Sequence, residues 1–414
     1  MYSYSFLLLS LLLLIYTYIG YTPLLSLLKR FHKQPQKSVK APLPSMTLII
    51  PLYNEESVVV EKVINTLTLH YTNHQFEILF IDDGSNDSSL ALLQQLSQHY
   101  PTAFKIISMG KNGGKYRAIC KGVALAQHEI VAVADCSSIL DQFALEEIGK
   151  CFLNPKVGAA SSHYKIPLHK MENSITQAES DYFCYENSLK KLEHESGSLI
   201  VVQGALYAFR KNLFIAKEKR IINDDLYIPC QILEQGYSVA YAEKAFVYEK
   251  NRTTESAEFF KRVRIATGNI QCLMDHPFLL LPTHAGRRIT AIKLTTHKLL
   301  RLCSPLLLLI AYTTSVLCFF KVEHPPLTIV VIFFLQHLFY LLALLGLLGL
   351  LLGHFINKRH LKLIGGKFFY RPYYFTLCNA AIFWAILKYP FTGRMISWNY
   401  ALLKSEHEQN LRIS

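Results

Sequence analysis

The chain has 414 residues, 51% of them hydrophobic, with a mean hydropathy of +0.21 and a formal net charge of +13. That is too apolar for an ordinary soluble enzyme and too charged for a protein wholly embedded in a bilayer. The apolar excess lies at the two ends, so a soluble domain flanked by membrane segments is expected.

Residues 1–28 are expected to form an N-terminal transmembrane anchor, because the run 5–28 carries no charge over a length that can cross a bilayer. A cleaved signal peptide is the alternative, but no basic region precedes the apolar run and no small-x-small cleavage site follows it. Residues 29–45 read as a basic linker. Lys29, Arg30, Lys33, Lys37 and Lys40 follow the span, and Pro35, Pro42 and Pro44 favour an extended chain. Cations beside a span mark the cytoplasmic side, which places the next domain in the cytosol of a multi-pass inner-membrane protein.

From 46 to 285 the hydrophobic period keeps switching. "TLIIPLYN", "EILFIDDGS", "FKIISM" and "EIVAVAD" read as strands, and "SVVVEKVINTLTLH", "SSLALLQQLSQHY" and "GKYRAICKGVALAQ" between them as helices. Alternation with continuously apolar strands predicts an α/β domain, a mostly parallel sheet covered on both faces.

Residues 286–301, with the cations of "RRITAIKLTTHKLLR", read as an interfacial helix resting on anionic lipid. The region 302–390 follows, with apolar runs at 299–320 and 326–352 that predict two spans. A third, 373–389, contains Asn379; it can span, re-enter or lie at the interface, and a span is expected. Lys358, Arg359, Lys362, Lys367 and Arg371 mark the loop before it as cytoplasmic, and 391–414 is a tail. Nine scattered cysteines show no CxxC pair, which fits reduced thiols. The cations gather beside the spans and no zinc-finger or RNP pattern occurs, so nucleic acid is not an expected partner.

In parallel sheets ligands bind beyond the carboxyl ends of the strands. Four polar clusters fall there: Asn54-Glu55-Glu56, Asp82-Asp83-Gly84-Ser85, Lys111 to Lys115, and Asp135. Each alone is explicable as a strand end or helix cap; four on one edge predict a binding site. "GKNGGKY" is not a phosphate loop of the Walker type, since only three residues separate Gly110 from Gly114 and Tyr116 follows the lysine.

These segments, with "VVQGALYAFRKNLF", "INDDLYIPCQILEQGYSVAYAEKAFVYE" and "EFFKRVRIATGNIQ", together resemble the membrane-bound, inverting family-2 glycosyltransferases of the GT-A fold, over about residues 45–275. The resemblance implies a GT-A (Rossmann-like) domain that takes a nucleotide sugar, a uridine-linked one by expectation. Pro51, Tyr53 and Glu55 would line the base and ribose. Asp82 or Asp83 would bond the uracil or ribose, and Lys115 would lie near the diphosphate unless it is merely a solvated helix-start residue.

Asp135 matches the first acid of the family's Asp-x-Asp motif, which clamps a divalent ion, Mg²⁺ or Mn²⁺, on the diphosphate. Ser137 stands where the second acid is usual. One carboxylate with substrate phosphates can hold magnesium, so Asp135 and Ser137 remain the expected metal site. Asp225 falls at the family's general base, and Asp224 where the family usually has Glu. Either aspartate can alternatively cap the helix 226–235. Gly204 and Ala205 resemble the acceptor-side loop, or form a strand with a glycine bulge.

Processive synthases of the family carry Gln-x-x-Arg-Trp on an interfacial helix. This chain has Lys261, Arg264 and Ile265 at those positions. Arg264 keeps the diphosphate contact, while the missing Trp removes a platform for a sugar polymer. The alternative is a basic face of Lys261, Arg262 and Arg264 turned to lipid.

The expected activity is therefore hexosyl or N-acetylhexosaminyl transfer to a polysaccharide or lipid-linked acceptor, in a membrane of lipids and with a homo-oligomer or export partner if a product is translocated. The rivals are a single-sugar transferase to a polyprenyl lipid and a non-catalytic nucleotide-binding scaffold.

Overall fold

The computed structural model describes residues 2–32, 41–72, 75–165, 174–249, 255–282, 288–353 and 366–392. Pro35, the cations Lys33, Lys37, Lys40, Arg287, Lys358, Arg359 and Lys362, and the tail beyond 392 lie outside the described residues.

The soluble domain is built on a sheet whose strands among the described residues are β1 (Met46–Leu52), β2 (Phe76–Asp82), β3 (Lys105–Ser108), β4 (Ile130–Ala134), β5 (Ser138–Leu140), β6 (Val157–Lys165), β7 (Leu206–Arg210) and β8 (Ser238–Glu249). Their order is β3-β2-β1-β4-β7-β6-β8-β5. β3, β2, β1 and β4 are mutually parallel, as is the β6–β8 pair. β7 runs antiparallel to β4 and β6, and β5 antiparallel to β8.

The continuous apolar strands have the cause inferred from the sequence, because both faces are covered. Ile49, Leu79, Ile81, Val131 and Val133 point into one core. Their alternating neighbours Leu48, Ile50, Phe80, Ile130 and Ala132 point into the other. Each fully buried aliphatic side chain contributes about 1.5–3 kcal/mol, and the polar residues buried in the sheet, such as Thr47, are hydrogen-bonded.

Helices α3 (Val59–Leu67), α4 (Ser89–His99), α5 (Lys115–Leu125), α6 (Ala144–Cys151), α7 (Ser174–Glu195), α8 (Asp224–Glu234) and α9 (Glu255–Asp275) complete the domain. Three of them start where the polar clusters lie, so the carboxyl edge of the sheet meets several helix N-termini.

Outside the domain, α1 (Tyr2–Ile15) and α2 (Tyr21–Phe31) are joined by a π turn at Tyr16–Gly20. At the other end, α10 (Arg288–Leu294) passes through a π turn at Thr295–Leu299 into α11 (Leu300–Lys321). Next come α12 (Leu327–Gly353) and α13 (Gly366–Thr392). Among the described residues three helices are long and apolar enough to cross a membrane: Ser3–Phe31, Arg288–Lys321 and Leu327–Gly349.

From 288 the stretch 286–301 is the foot of a continuous helix running into α11, and Lys293, His297 and Arg301 turn inward while Arg288 is exposed. Lys293 is buried and donates to the carbonyl oxygens of Glu193 (2.7 Å), Ser196 (3.2 Å) and Ser198 (2.9 Å). Buried His297 lies 2.7 Å from Glu193 Oε1, and Arg301 Nη1 lies 2.6 Å from Glu186 Oε1. Buried carboxylates on α7 explain the difference, because an unpaired acid there would be costly. The third C-terminal segment forms the helix α13, whose Ala381 and Ala385 share a core with Val263 and Ala266 of α9 and with Leu302 of α11.

Candidate active site

The strand ends are laced together by side-chain to backbone bonds. The amide of Asn54 donates to Ser85 Oγ (3.0 Å), and that of Glu55 to Ser89 Oγ (2.8 Å). Asp82 accepts from the Ser85 amide (3.2 Å) and the Ser108 hydroxyl (3.2 Å). Asp83 accepts the amides of Gly113 (2.8 Å) and Gly114 (2.7 Å), one on each oxygen.

The first two motifs and the glycine loop thus form one ledge. Asp82 and Asp83 were expected to meet a uracil or ribose. In the structure both are buried, 1% and 3% exposed, and their carboxylates accept hydrogen bonds within the ledge. Burial pushes the Asp83 carboxyl up, against the two amides that favour its charge. Pro51 is also inside, in β1 opposite Ile81. Tyr53 and Glu55 lie on the turn beyond β1, partly exposed.

The centre is formed by Lys115, the first residue of α5. Its ammonium is 2.7 Å from Asp135 Oδ1 and 3.2 Å from Asp224 Oδ2. Asp224 Oδ2 also accepts from the Tyr207 hydroxyl of β7 (2.7 Å). Lys115 is therefore not a solvated helix-start residue. Burial alone would ease its proton off, but Asp135 and Asp224 win and hold it raised above the ordinary lysine range.

Asp225 lies beside this chain of charges. Burial, then the Asp224 charge, raise its carboxyl pKa above the ordinary value, against the cations of Lys115, Lys298 and Arg264. Neither aspartate caps α8: the N-cap is Asn223, and the acids occupy the first turn. A Cβ built on Gly204 would stand 3.6 Å from Asp225 Oδ2, in ordinary van der Waals contact, so the Gly204 backbone passes close to the acid. Ala205 O accepts the Asp135 amide (3.2 Å), tying this loop to the end of β4.

What holds the Asp224–Asp225 turn is α9. Asn223 Nδ2 donates to Ile265 O (2.9 Å) and Asn269 Oδ1 (3.1 Å). Gln271 donates to Arg220 O (2.7 Å) and accepts from the Ile222 amide (3.1 Å). Gly268 is required there, since a Cβ would fall 2.4 Å from Asn223 Cγ. Arg262 does not face lipid. It pairs with Glu258 (2.7 Å) and donates to Tyr374 of α13 (2.6 Å).

Beside Lys115 lies a cavity of about 210 Å³, lined among others by Gly113, Gly114, Arg117, Arg220 and Arg264. Three guanidinium groups, Lys115 and Lys219 outweigh the single carboxylate of Glu218 on this lining at the start of an 11-residue helix, whose N-terminus adds its own partial positive charge, so the cavity favours an anion. The volume is below the 300–1,000 Å³ usual for a whole drug-sized ligand and suits a phosphate-sized part of one. Arg117 and Arg220 escaped the sequence reading, although the basic run 217–220 just ahead of Asp224 was a usable signal. Lys62 escaped too. Wholly buried, it donates to Ser138 O (2.7 Å) and Ser138 Oγ (3.1 Å) beneath the Asp135 turn.

Among the described residues no three His, Cys, Asp or Glu side chains form a metal cage. Asp135, 36% exposed at its side chain, offers an accessible carboxylate, and Ser137 lies on the same turn. That donor set fits an ion held jointly with substrate phosphates and does not fit an ion held by protein alone.

Comparison with known proteins agrees with this geometry. Residues 47–214 match the family described as glycosyl transferase family 2. A beta-monoglucosyldiacylglycerol synthase from Nostoc sp. is 26% identical over 260 residues, 62% of this chain and 55% of that protein. A poly-beta-1,6-N-acetyl-D-glucosamine synthase from Staphylococcus aureus is 23% identical over 257 residues, 61% of each. The alignments thus span little more than half the length of these relatives. A mannosyltransferase from Pyrobaculum calidifontis, solved with GDP-Man and Mn²⁺, superposes with a TM-score of 0.66 at 18% identity, over 94% of this chain and 99% of that one. Residues 47–214 thus carry the match to glycosyl transferase family 2, within a chain of GT-A-like fold.

Proposed function

We propose that the chain is a membrane-bound, inverting glycosyltransferase that moves a sugar from a nucleotide donor to a lipid-linked or polysaccharide acceptor. The observation that carries this reading is the meeting of Asp225, Asp224, Lys115 and Asp135 beside a cavity lined by arginines. A scaffold that only bound nucleotide would have no need of a buried acid with a raised pKa beside a charged Lys115.

In this mechanism Asp225 takes the proton of an acceptor hydroxyl that has entered past Gly204. The freed oxygen attacks the anomeric carbon from the side opposite the nucleotide. The bond to the diphosphate breaks, its electron pair leaves with the phosphate, and the configuration inverts. Arg264, Arg220, Arg117 and Lys115 stabilise the charge that develops on the leaving group; fixed cations out of water act strongly on such charge. A divalent ion, when held by Asp135 with Ser137 alongside, supplies further positive charge at the diphosphate. Tyr53 and Glu55 border the nucleotide.

The three apolar helices support a membrane location, and Lys29 and Arg30 beside the first of them favour a cytosolic domain. The mannosyltransferase neighbour was solved with a guanosine-linked sugar, and the relatives build glucolipid or N-acetylglucosamine polymer. Donor base, sugar and acceptor are therefore tested together. Purified protein is offered UDP- and GDP-linked hexoses and N-acetylhexosamines with Mg²⁺ or Mn²⁺, and released nucleotide is measured. Turnover of one donor class is expected; binding without turnover of any would favour the scaffold.

A further inference from the structure

Gln203 precedes Gly204, and its side chain has no part in the mechanism so far. The segment that carries both is pinned to the base and to the sheet. The Val202 amide donates to Asp225 O (3.0 Å), the Gln203 amide to Ser161 Oγ (2.8 Å), and the Leu206 amide to Gln203 O (3.1 Å). Gln203 is thus fixed one residue ahead of the point where the backbone passes Asp225 Oδ2.

A buried cation holds the Gln203 side chain. Lys190 of α7 is 5% exposed, and its ammonium donates to Gln203 Oε1 (2.7 Å). The acids one turn away on the same helix face are bonded elsewhere. Glu186 meets Arg301 (2.6 Å) and His297 (3.3 Å), while Glu193 meets His297 (2.7 Å) and Tyr21 (2.7 Å). Burial lowers the Lys190 pKa to about 8, against the charges of Glu186 and Asp225, so the ammonium keeps its proton at neutral pH. A buried ammonium bonded to a neutral amide costs stability, so packing does not explain it.

An ammonium has donors and no acceptor, so it decides which way the amide faces. Oε1 turns to Lys190 and Nε2 turns away, and among the described residues Nε2 makes no hydrogen bond. The half-buried side chain thus presents two N–H donors on the loop beside Asp225.

We propose that Gln203 binds the acceptor, donating from Nε2 to a hydroxyl oxygen next to the attacking one, and that Lys190 is the positioning residue that keeps the amide in this orientation. This rests on the transferase reading and adds the chemistry of the acceptor end: neighbouring hydroxyl groups, as a sugar or a glycerol head carries them. Bracing of the loop alone is the competing explanation.

The test uses the full chain in phospholipid vesicles with the donor that releases nucleotide. Glycerol, methyl β-glucoside or propan-1-ol is added, and the ratio of glycoside to free sugar is measured. That ratio compares alcohol with water at one donor-loaded site, so neither folded fraction nor donor affinity enters it. The parent should exceed the alcohol-to-water molar ratio about tenfold with glycerol or the glucoside and not with propan-1-ol. The diol with the larger excess tells a glycerol head from a sugar end. Gln203→Glu keeps a partner for Lys190 but removes both donors. It should cut the ratio about tenfold, as loss of a hydrogen bond does, with Tm unchanged. Lys190→Met frees the amide to turn and should act in the same direction, and the double variant should be no worse than Gln203→Glu. A parent without the excess, an equal excess with propan-1-ol, or a parental ratio in either single variant overturns the inference. Turnover without the excess removes Gln203 and leaves the transferase, whereas a parent that releases no nucleotide from any donor removes both.

Discussion

Lys115 Nζ lies 2.7 Å from Asp135 Oδ1, joining the first residue of α5 to the acid that follows β4. Asp224 closes the other side at 3.2 Å, so one ammonium links a candidate phosphate clamp to the acids of α8. Replacing it with an uncharged side chain of similar length leaves two carboxylates facing each other. Lys115→Met should lower turnover about 10²–10³-fold, as loss of one positioned charge does in comparable sites. Single-turnover transfer at saturating donor checks this; a loss confined to KM would mean that Lys115 only binds.

The acid side of the pH profile should belong to Asp225. A base must be ionised, and burial and Asp224 hold this carboxyl above its ordinary 3.8. The rate should therefore fall, as pH falls, at a pH above that value. Stability carries the opposite sign. The folded state keeps a proton that the unfolded chain has lost, so ionising Asp225 destabilises the fold as pH rises from 3.8 through the raised pKa. Asp225→Asn should then melt no lower than the parent at neutral pH. A large drop in Tm would show that the acid is structural.

Lys62 gives a second case in which stability and activity separate. Burial brings its pKa down from 10.5 to about 8, even with Cys136 and Asp135 drawing it up. Below pH 8 the fold carries the burden of a buried ammonium, and that burden is relieved as the pH rises toward 10.5. Well-packed apolar replacements of buried charges are often neutral or stabilising. Lys62→Met should therefore keep its Tm near neutral pH but loosen the Asp135 turn and slow turnover about tenfold or more. Ser138→Ala, which removes the hydroxyl joining Lys62 to Ala205 O (3.0 Å), should act in the same direction. The double variant should be little worse than either single one. Independent, additive losses would show that Lys62 does not act through Ser138.

Gly268→Ala places a methyl group against Asn223, where a Cβ would fall 2.4 Å from Cγ. The start of α8, with both acids, must shift. A displacement near 1 Å costs about 10²-fold in rate, while the fold should survive. Normal nucleotide affinity with reduced turnover is the expected pattern, and an unchanged rate would show that α9 does not position the acids.

The sequence made the parallel half of the sheet readable because its strands are apolar on both faces and alternate with helices. The antiparallel half was less visible. β6 holds Ser161, Ser162 and His163, and β8 holds Glu243 and Lys244, so neither has a simple period. The acids at the sheet edge were found by position, since strand ends are local. Their bracing of the ledge was not, because Asp83 accepts from amides 30 and 31 residues away. Arg117, Arg220 and Lys62 were missed for the same reason: a surface cation and a buried or ligand-facing one look alike until packing decides. The membrane helices were legible from apolar length, but the inward turn of Lys293, His297 and Arg301 depends on acids of α7 about a hundred residues earlier.

The most direct measurement is transfer from the donor found by nucleotide release, compared between the parent chain and Asp225→Asn, with nucleotide affinity measured alongside. The account predicts a fall in turnover of about 10²–10⁴-fold with affinity intact. Turnover that survives in the variant would contradict it, because no base would then act from that position.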